Sequence, residues 1–483
     1  MSEQRPTKYR WTICGLLFFA TLINYLDRQV LSLTWKDFIA PEFHWTNNDY
    51  GNVAAIFSIV YAISMLMSGR VIDRLGTKKG YLWAIAIWSV GAILHAFCGM
   101  ITSGLLTGQW WVSFAEARDI IAGIEDVARI INISVVVFII ARIVLAVGEG
   151  GNFPAAMKTA VEYFPKKDRA FATSIFNSGT TIGALLAPLI IPAIALTFGW
   201  EMSFILIGAL GFIWMGFWQF LYKRPEENPK MNTAELNYIQ QDDEQALPSV
   251  PSGETVKVKE KPLSVRTCLK FKQTWALIFG RLFTDGVWWF LLFWFPAYLS
   301  SVYDIKSSDF EGQIAIFVLY AITMLSLIGG WLPTYFVEKK GMEVYSGRMK
   351  AMLIFAFFPL LILLAQPLGE YSYWYPVILI GISAAAHQSW SANVFSAVGD
   401  MFPKRAIATV TGISGLAGGI GSFLINKVSG MLFDYAEQTN MRMFQFEGIE
   451  SGYFIIFAAC SVAYLIAWTL MKVLVPKMEV IRL

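Results

Sequence analysis

An all-α membrane protein is the fold class this 483-residue sequence predicts: twelve transmembrane helices in two six-helix parallel repeats, with both termini cytoplasmic. Three observations predict it. Hydrophobic residues make up 56% of the chain and charged residues only 15%, against about 25% charged in a soluble domain. Nearly uncharged stretches of about 20 residues, the length that spans a hydrocarbon core, recur from end to end. Lys and Arg also sort by side. With span-end residues assigned to the adjoining segment, 29 of the 38 fall in segments on the side of the N-terminus and five on the other. The remaining four, Arg28, Arg142, Arg281 and Lys427, lie inside spans. The net charge of +3 reflects this bias and calls for no nucleic-acid partner.

The first span is 11–33. Arg5, Lys8 and Arg10 precede it as in a secretory signal, but Asp27 and Arg28 lie within the run and no A-x-A site follows, so it reads as an uncleaved span. Spans 50–69 and 81–101 follow. Residues 102–131 form an outer insertion in which Ile120, Ile124, Val127 and Ile131 make one helical face. That face predicts a helix lying on the outer leaflet, anchored by Trp110 and Trp111. Spans 132–158, 171–196 and 203–222 complete an N-terminal bundle, 1–222. Segment 223–273, with Pro225, Pro229, Pro248, Pro251 and Pro262 among many charges, reads as a cytoplasmic linker with a short helix near 234–241. Spans 274–299, 311–336, 350–366, 375–398, 406–432 and 452–474 form the C-terminal bundle, 274–483. Cys14, Cys98, Cys268 and Cys460 form no C-x-x-C and read as packing residues.

The two bundles resemble each other. Tyr163-Phe164-Pro165-Lys166-Lys167 parallels Met401-Phe402-Pro403-Lys404-Arg405, each between the fourth and fifth span of its bundle, so the repeat runs parallel. Secondary transporters use this architecture and bind substrate between the repeats near the midplane.

Ionisable groups at that depth need partners or water. Asp27 and Arg28 point about 100° apart on one helix. Arg142 and Glu149 are seven residues apart and Arg281 and Asp285 four, so both read as charge pairs lining a shared cavity. An acidic solute needs a permanent cation, and guanidinium binds carboxylate through two parallel bonds, which favours Arg28. Coupling needs a carboxylate whose proton affinity changes between conformations. Asp27 and Glu149 fit, the alternative being static ion pairs that fix helix packing. Tyr25, Tyr61, Asn177, Thr180, Gln388, Ser391 and Asn393 offer hydroxyl partners, and Trp288 or Trp289 a flat face unless they only pack. His387 binds substrate or is a satisfied core histidine. Lys427 shares its span with Gly415, Gly418, Gly419 and Gly421, which predict close helix approach.

After the second span, Gly69-Arg70-Val71-Ile72-Asp73-Arg74-Leu75-Gly76-Thr77-Lys78-Lys79-Gly80 matches the G-x-x-x-D-R-x-G-x-K-K signature of the major facilitator superfamily, which the chain therefore resembles. The resemblance implies that fold. It also reads Gly69, Asp73, Arg74 and Gly76 as a gating turn in which Asp73 accepts from the neighbouring bundle to close the inner face. Asn24-Tyr25-Leu26-Asp27-Arg28, Arg142, Glu149 with Gly150-Gly151-Asn152-Phe153-Pro154, and the Tyr163-Phe164-Pro165 loop look like the anion:cation symporter family. The segments Thr284-Asp285-Gly286-Val287-Trp288-Trp289 and Ala386-His387-Gln388-Ser389-Trp390-Ser391-Ala392-Asn393 look most like its hexuronate branch. In that family the acids matching Asp27 and Glu149 are protonation sites, and Tyr61 falls in the site.

The function expected is import of a hexuronate (glucuronate or galacturonate) by proton symport with alternating access, across a bacterial inner membrane, by a lipid-embedded monomer with no cofactor or metal. The alternatives are a sodium-coupled symporter, a carrier of an aldonate or other organic anion, and a transporter-like sugar-acid sensor. No G-x-x-x-x-G-K-[ST] loop supports an ATP-driven pump. His44, His95 and His387 have no ligand spacing for a metalloenzyme.

Overall fold

The computed structural model describes residues 6–244, 263–477 and 481 and is almost wholly helical. An N-terminal group comprises α1 (Tyr9–Thr34), a π-helical turn (Trp35–Ile39), α2 (Ala40–Phe43), α3 (Asn47–Leu75), α4 (Thr77–Ala96), α5 (Cys98–Thr107), α6 (Phe114–Ala122), α7 (Val127–Glu149), α8 (Asn152–Tyr163), α9 (Lys166–Phe198) and α10 (Trp200–Leu221). Then come α11 (Thr233–Glu244) and α12 (Val265–Cys268). The C-terminal group holds α13 (Lys272–Tyr303), α14 (Phe310–Thr323), α15 (Leu327–Lys340), α16 (Val344–Phe357), α17 (Ala365–Gly369), α18 (Trp374–Met401), α19 (Lys404–Gln438), a two-stranded hairpin (Arg442–Met443 with Phe446–Glu447) and α20 (Ile449–Leu474).

Among the described residues, nine helices or continuous helical runs are long and apolar enough to cross a membrane, and the pair α4 and α5, bent by 55°, makes a tenth. Helices α1 (26 residues) and α18 (28 residues) are as long, but they carry the polar runs Asn24 to Gln29 and His387 to Asn393. The chain is a multi-pass integral membrane protein.

Local chemistry sets the helix ends. Thr46 and Asp49 form a capping box at the start of α3, and Ser113 and Glu116 another at α6. Pro165 and Pro403 open α9 and α19 with the same backbone, φ −63° and ψ 158° against φ −64° and ψ 153°. The sequence repeat is therefore also a repeat of geometry, since proline is preorganised for a helix start and its missing N–H costs nothing there.

Helices within each group meet through small residues. A Cβ on Gly148 of α7 would lie 2.2 Å from the Trp88 nitrogen of α4, and one on Gly421 of α19 would strike the Leu282 carbonyl of α13. Between the groups, α3 packs along α19 and α9 along α14.

One expectation changes. The insertion is not one helix with an Ile120, Ile124, Val127, Ile131 face. It breaks after Ala122, and its buried apolar residues are Ala117, Ile121 and Ile130. Gly123 ends α6 and Asp126 caps α7, so the helical phase restarts between them. Helix α6 packs on α2 and α5, while Trp111 is 98% exposed. The helix expected in the linker is α11, and it is tied down. The buried Glu235 carboxylate accepts from the Tyr9 and Arg10 backbone nitrogens and from Thr7 Oγ1, capping the start of α1, and pairs with Arg10 at 3.0 Å.

Among the described residues, the hydrogen bonds that join the groups cluster at the end away from the chain termini. Asp434 of α19 accepts from the Asn47 and Asn48 nitrogens at 2.8 and 2.9 Å, so a carboxylate of one group caps a helix of the other. Asp37 accepts from Ser300 and from the nitrogen and hydroxyl of Ser307, and Tyr50 donates to the Phe293 carbonyl. Lys427, whose role the sequence left open, crosses to Asn48 and Asn52.

Candidate functional site

Four charged side chains of α1 and α7 lie buried in the N-terminal group, and Arg28 among them meets the C-terminal group. Asp27, Arg142 and Glu149 are each 1% exposed and Arg28 is 3%. Arg28 donates through Nε (2.9 Å) and Nη2 (2.8 Å) to a single oxygen, Glu149 Oε2, and Nη2 also reaches Asn24 Oδ1 at 3.4 Å. Its guanidinium carbon lies 4.6 Å from the centre of the Tyr61 ring, 4.9 Å from Tyr25, 4.9 Å from Trp289 and 5.9 Å from Phe57. Three of these rings come from the N-terminal group and Trp289 from the C-terminal one, so the cage spans both. Aromatic faces stabilise a desolvated cation, contributing about 2 kcal/mol in dry surroundings.

This arrangement corrects the pairing read from spacing. Glu149 bonds Arg28, not Arg142, because seven residues separate two side chains of one helix by about 10 Å along the axis. A neighbouring helix brings a partner closer. Arg142 instead donates to the Arg28 carbonyl at 3.2 Å and covers Phe57, its guanidinium carbon 4.7 Å from the ring centre. Its Nε and Nη1 are enclosed without acceptors, and Glu149 Oε1 and both oxygens of Asp27 are enclosed without donors.

In the C-terminal group, Arg281 and Asp285 pair at 2.7 Å as expected from their spacing. Trp288 stacks on His387 with centroids 5.4 Å apart and planes 7° apart, and His387 Nδ1 lies 2.8 Å from the Tyr464 hydroxyl. His387 thus has a packing partner and a hydrogen-bond partner. Gln388 and Ser391 are half-buried on α18. Asn393 is engaged elsewhere, donating to the Ser389 and Gly329 carbonyls and accepting from Arg348, which is bound to Asp400. Asn177 is exposed, and Thr180 turns its hydroxyl to the Asn177 carbonyl.

At the gating turn, Gly76 has φ +79°, which glycine alone adopts freely. Gly69 lies inside α3 with no neighbour that a Cβ would meet, so the turn places no such demand on it. Asp73 pairs with Lys158 of its own group at 2.8 Å, and Arg74 is exposed. Among the described residues, Asp73 makes no contact with the neighbouring bundle, and the cross-group bonds lie at the opposite end.

Sequence reasoning missed Phe57, although it sits one turn before Tyr61 on the same face of α3. Asp37 and Asp434 carried no signal, since each acts only through a helix distant in sequence.

Residues 17–426 match the family model of the Major Facilitator Superfamily. The chain belongs to that superfamily. Among curated superfamily relatives, it is 27% identical over 431 residues to the hexuronate transporter of Escherichia coli (strain K12), covering 88% of each chain. It is 26% identical over 330 residues to the galacturonate transporter of Dickeya chrysanthemi, covering 68% of this chain and 82% of that one. Among solved structures, the bacterial homologue of the human lysosomal transporter Spinster, in an inward-facing and unoccupied conformation, superposes with TM-score 0.68 at 18% identity, covering 96% of this chain and 98% of that one. The xylose transporter XylE from E. coli, in a partially occluded inward-open conformation, gives 0.63 at 15% identity, with 96% and 98% covered. These relatives are transporters, in keeping with a non-enzymatic chain.

Proposed function

We propose that this protein imports a hexuronate, glucuronate or galacturonate, by proton symport with alternating access. The observation that carries the reading is Arg28, a caged guanidinium between the two groups whose Nε and Nη2 edge is held by a single carboxylate. That edge is the fork a substrate carboxylate would take. Glu149 competes for it, and a proton on Glu149 weakens its hold on Arg28, so protonation and anion binding favour each other.

Charge counting supports the coupling. Two arginines and two ionised acids sum to zero, and each proton added to Asp27 or Glu149 makes room for one negative charge. A proton on Asp27 also removes the cost of enclosing a carboxylate whose oxygens accept no hydrogen bond. Tyr25, Tyr61 and Trp289 offer hydroxyls and flat faces to a sugar ring, and Arg142, Trp288, Asp285, Gln388 and Ser391 are neighbouring candidates.

In this reading the ten runs that pass the length and composition test, together with α1 and α18, make twelve spans in two bundles, 1–222 and 274–483, joined by the linker 223–273. The Lys and Arg distribution supports cytoplasmic termini. The end sealed by Asp434 and Asp37 is then the outer one, and the conformation faces inward. The relation to hexuronate and galacturonate transporters supports the substrate class.

The test is uptake of radiolabelled glucuronate into proteoliposomes under an imposed pH gradient, inside alkaline. Accumulation abolished by a protonophore is expected. Accumulation that follows sodium instead, or binding without uptake, would reject proton symport.

A further inference from the structure

Among the described residues of the C-terminal group, Arg281 and Asp285 form a largely enclosed ion pair, and the proposed reaction gives Arg281 no role. The pair repeats the Arg28 and Glu149 arrangement: Arg281 Nε (2.8 Å) and Nη2 (2.7 Å) both fall on one oxygen, Asp285 Oδ2. Arg281 Nη1 is enclosed and has no acceptor, so donors remain for a second anion. The guanidinium carbon lies 4.6 Å from the centre of the Phe395 ring. Space for the pair comes from α19, where a Cβ on Gly418 would lie 2.2 Å from Asp285 Oδ2 and one on Gly415 would lie 3.4 Å from Arg281 Nη1. An i,i+4 pair within one helix holds no two helices together, so helix packing does not account for it.

Position supplies the rest. Arg281, Asp285, Trp288 and Trp289 follow one face of α13, and Trp289 covers Arg28. Eight residues place Arg281 about 12 Å along the axis from Trp289, on the side away from the sealed end. We propose that Arg281, oriented by Asp285, is a second station for the substrate carboxylate, which it receives from Arg28 on the way to the open end. The proposal rests on the function argued above and adds a release step to it.

The test compares wild type with Arg281→Gln and Arg281→Lys, measuring the equilibrium Kd for glucuronate in detergent and the counterflow exchange rate in proteoliposomes. Arg281→Gln is expected to keep Kd within about threefold of wild type while exchange slows by more than about threefold, with Arg281→Lys intermediate in rate. Unchanged exchange, a Kd weakened beyond that range, or a lysine variant no faster than the glutamine one would overturn the second station. Should Arg281→Gln fail to fold, Arg281→Lys carries the test by the same split between rate and affinity. A wild type that binds no glucuronate would instead overturn the function itself, and this step with it.

Discussion

The two halves of the chain share a duplicated sequence yet hold their buried charges differently. In the N-terminal half the guanidinium and its carboxylate lie on different helices, α1 and α7, with Asp27 beside them and a second arginine below. In the C-terminal half the pair lies one turn apart on α13. An interhelical pair can be broken by a movement between helices, whereas an intrahelical one moves as a unit. The comparison places the separable charge pair in the first half, while the second supplies a face, Trp289, and Asp434 to the seal at the end away from the chain termini.

The change expected to break this contrast most strongly is Arg28→Lys. A point charge cannot give two parallel bonds to a carboxylate, and glucuronate affinity should fall by about 100-fold or more, read by equilibrium binding. Near-normal affinity would return the substrate to the C-terminal half.

Next in size are Asp27→Asn and Glu149→Gln. Each should abolish gradient-driven accumulation while leaving counterflow exchange measurable, because exchange needs no net proton movement. Full accumulation in both variants would make the N-terminal charges as static as the C-terminal pair.

A smaller effect is expected at the seal. Asp434→Asn replaces a carboxylate that caps α3 across the interface, at a cost of about 1–2 kcal/mol. The population open at that end should rise by about tenfold, measured as faster thiol labelling of a cysteine introduced at Asn52. Unaltered labelling would mean that the other cross-group bonds and the packing of α3 on α19 close the end without Asp434.

The smallest concerns Glu42 of the first half, whose Oε2 accepts from Trp200 Nε1. Burial pushes its carboxyl up to about 7 despite the Trp200 Nε1 bond, with Glu201 adding to the rise and Arg118 opposing it. A value higher in the folded state than the ordinary 4.5 means that the folded protein binds the extra proton. Its stabilisation is complete below pH about 4.5 and is lost as pH rises through about 7, a swing of about 3 kcal/mol at most. Wild type should therefore lose a few degrees of Tm between pH 5 and 8 relative to Glu42→Gln. Parallel curves would show the carboxyl to be solvated.

Much of the site was legible because the chemistry is scarce. Charged residues in apolar runs stand out against the cost of burying them, so Asp27, Arg28, Arg142 and Glu149 could be named from sequence alone. Their pairing could not, since helical spacing ranks neighbours on one helix and says nothing of the helix alongside. The same limit applies to Asn393. Its position in a polar run suggested the cavity, while its neighbours bind it to Arg348 and two carbonyls.

By itself the sequence determined the membrane environment, the duplication and the inventory of buried charge, because hydropathy, repeated motifs and composition are properties read along the chain. The tertiary structure decided which carboxylate holds Arg28, which rings enclose it and which end is sealed. Each of these depends on distances between helices remote in sequence, and those are fixed only when the small residues let the helices come together.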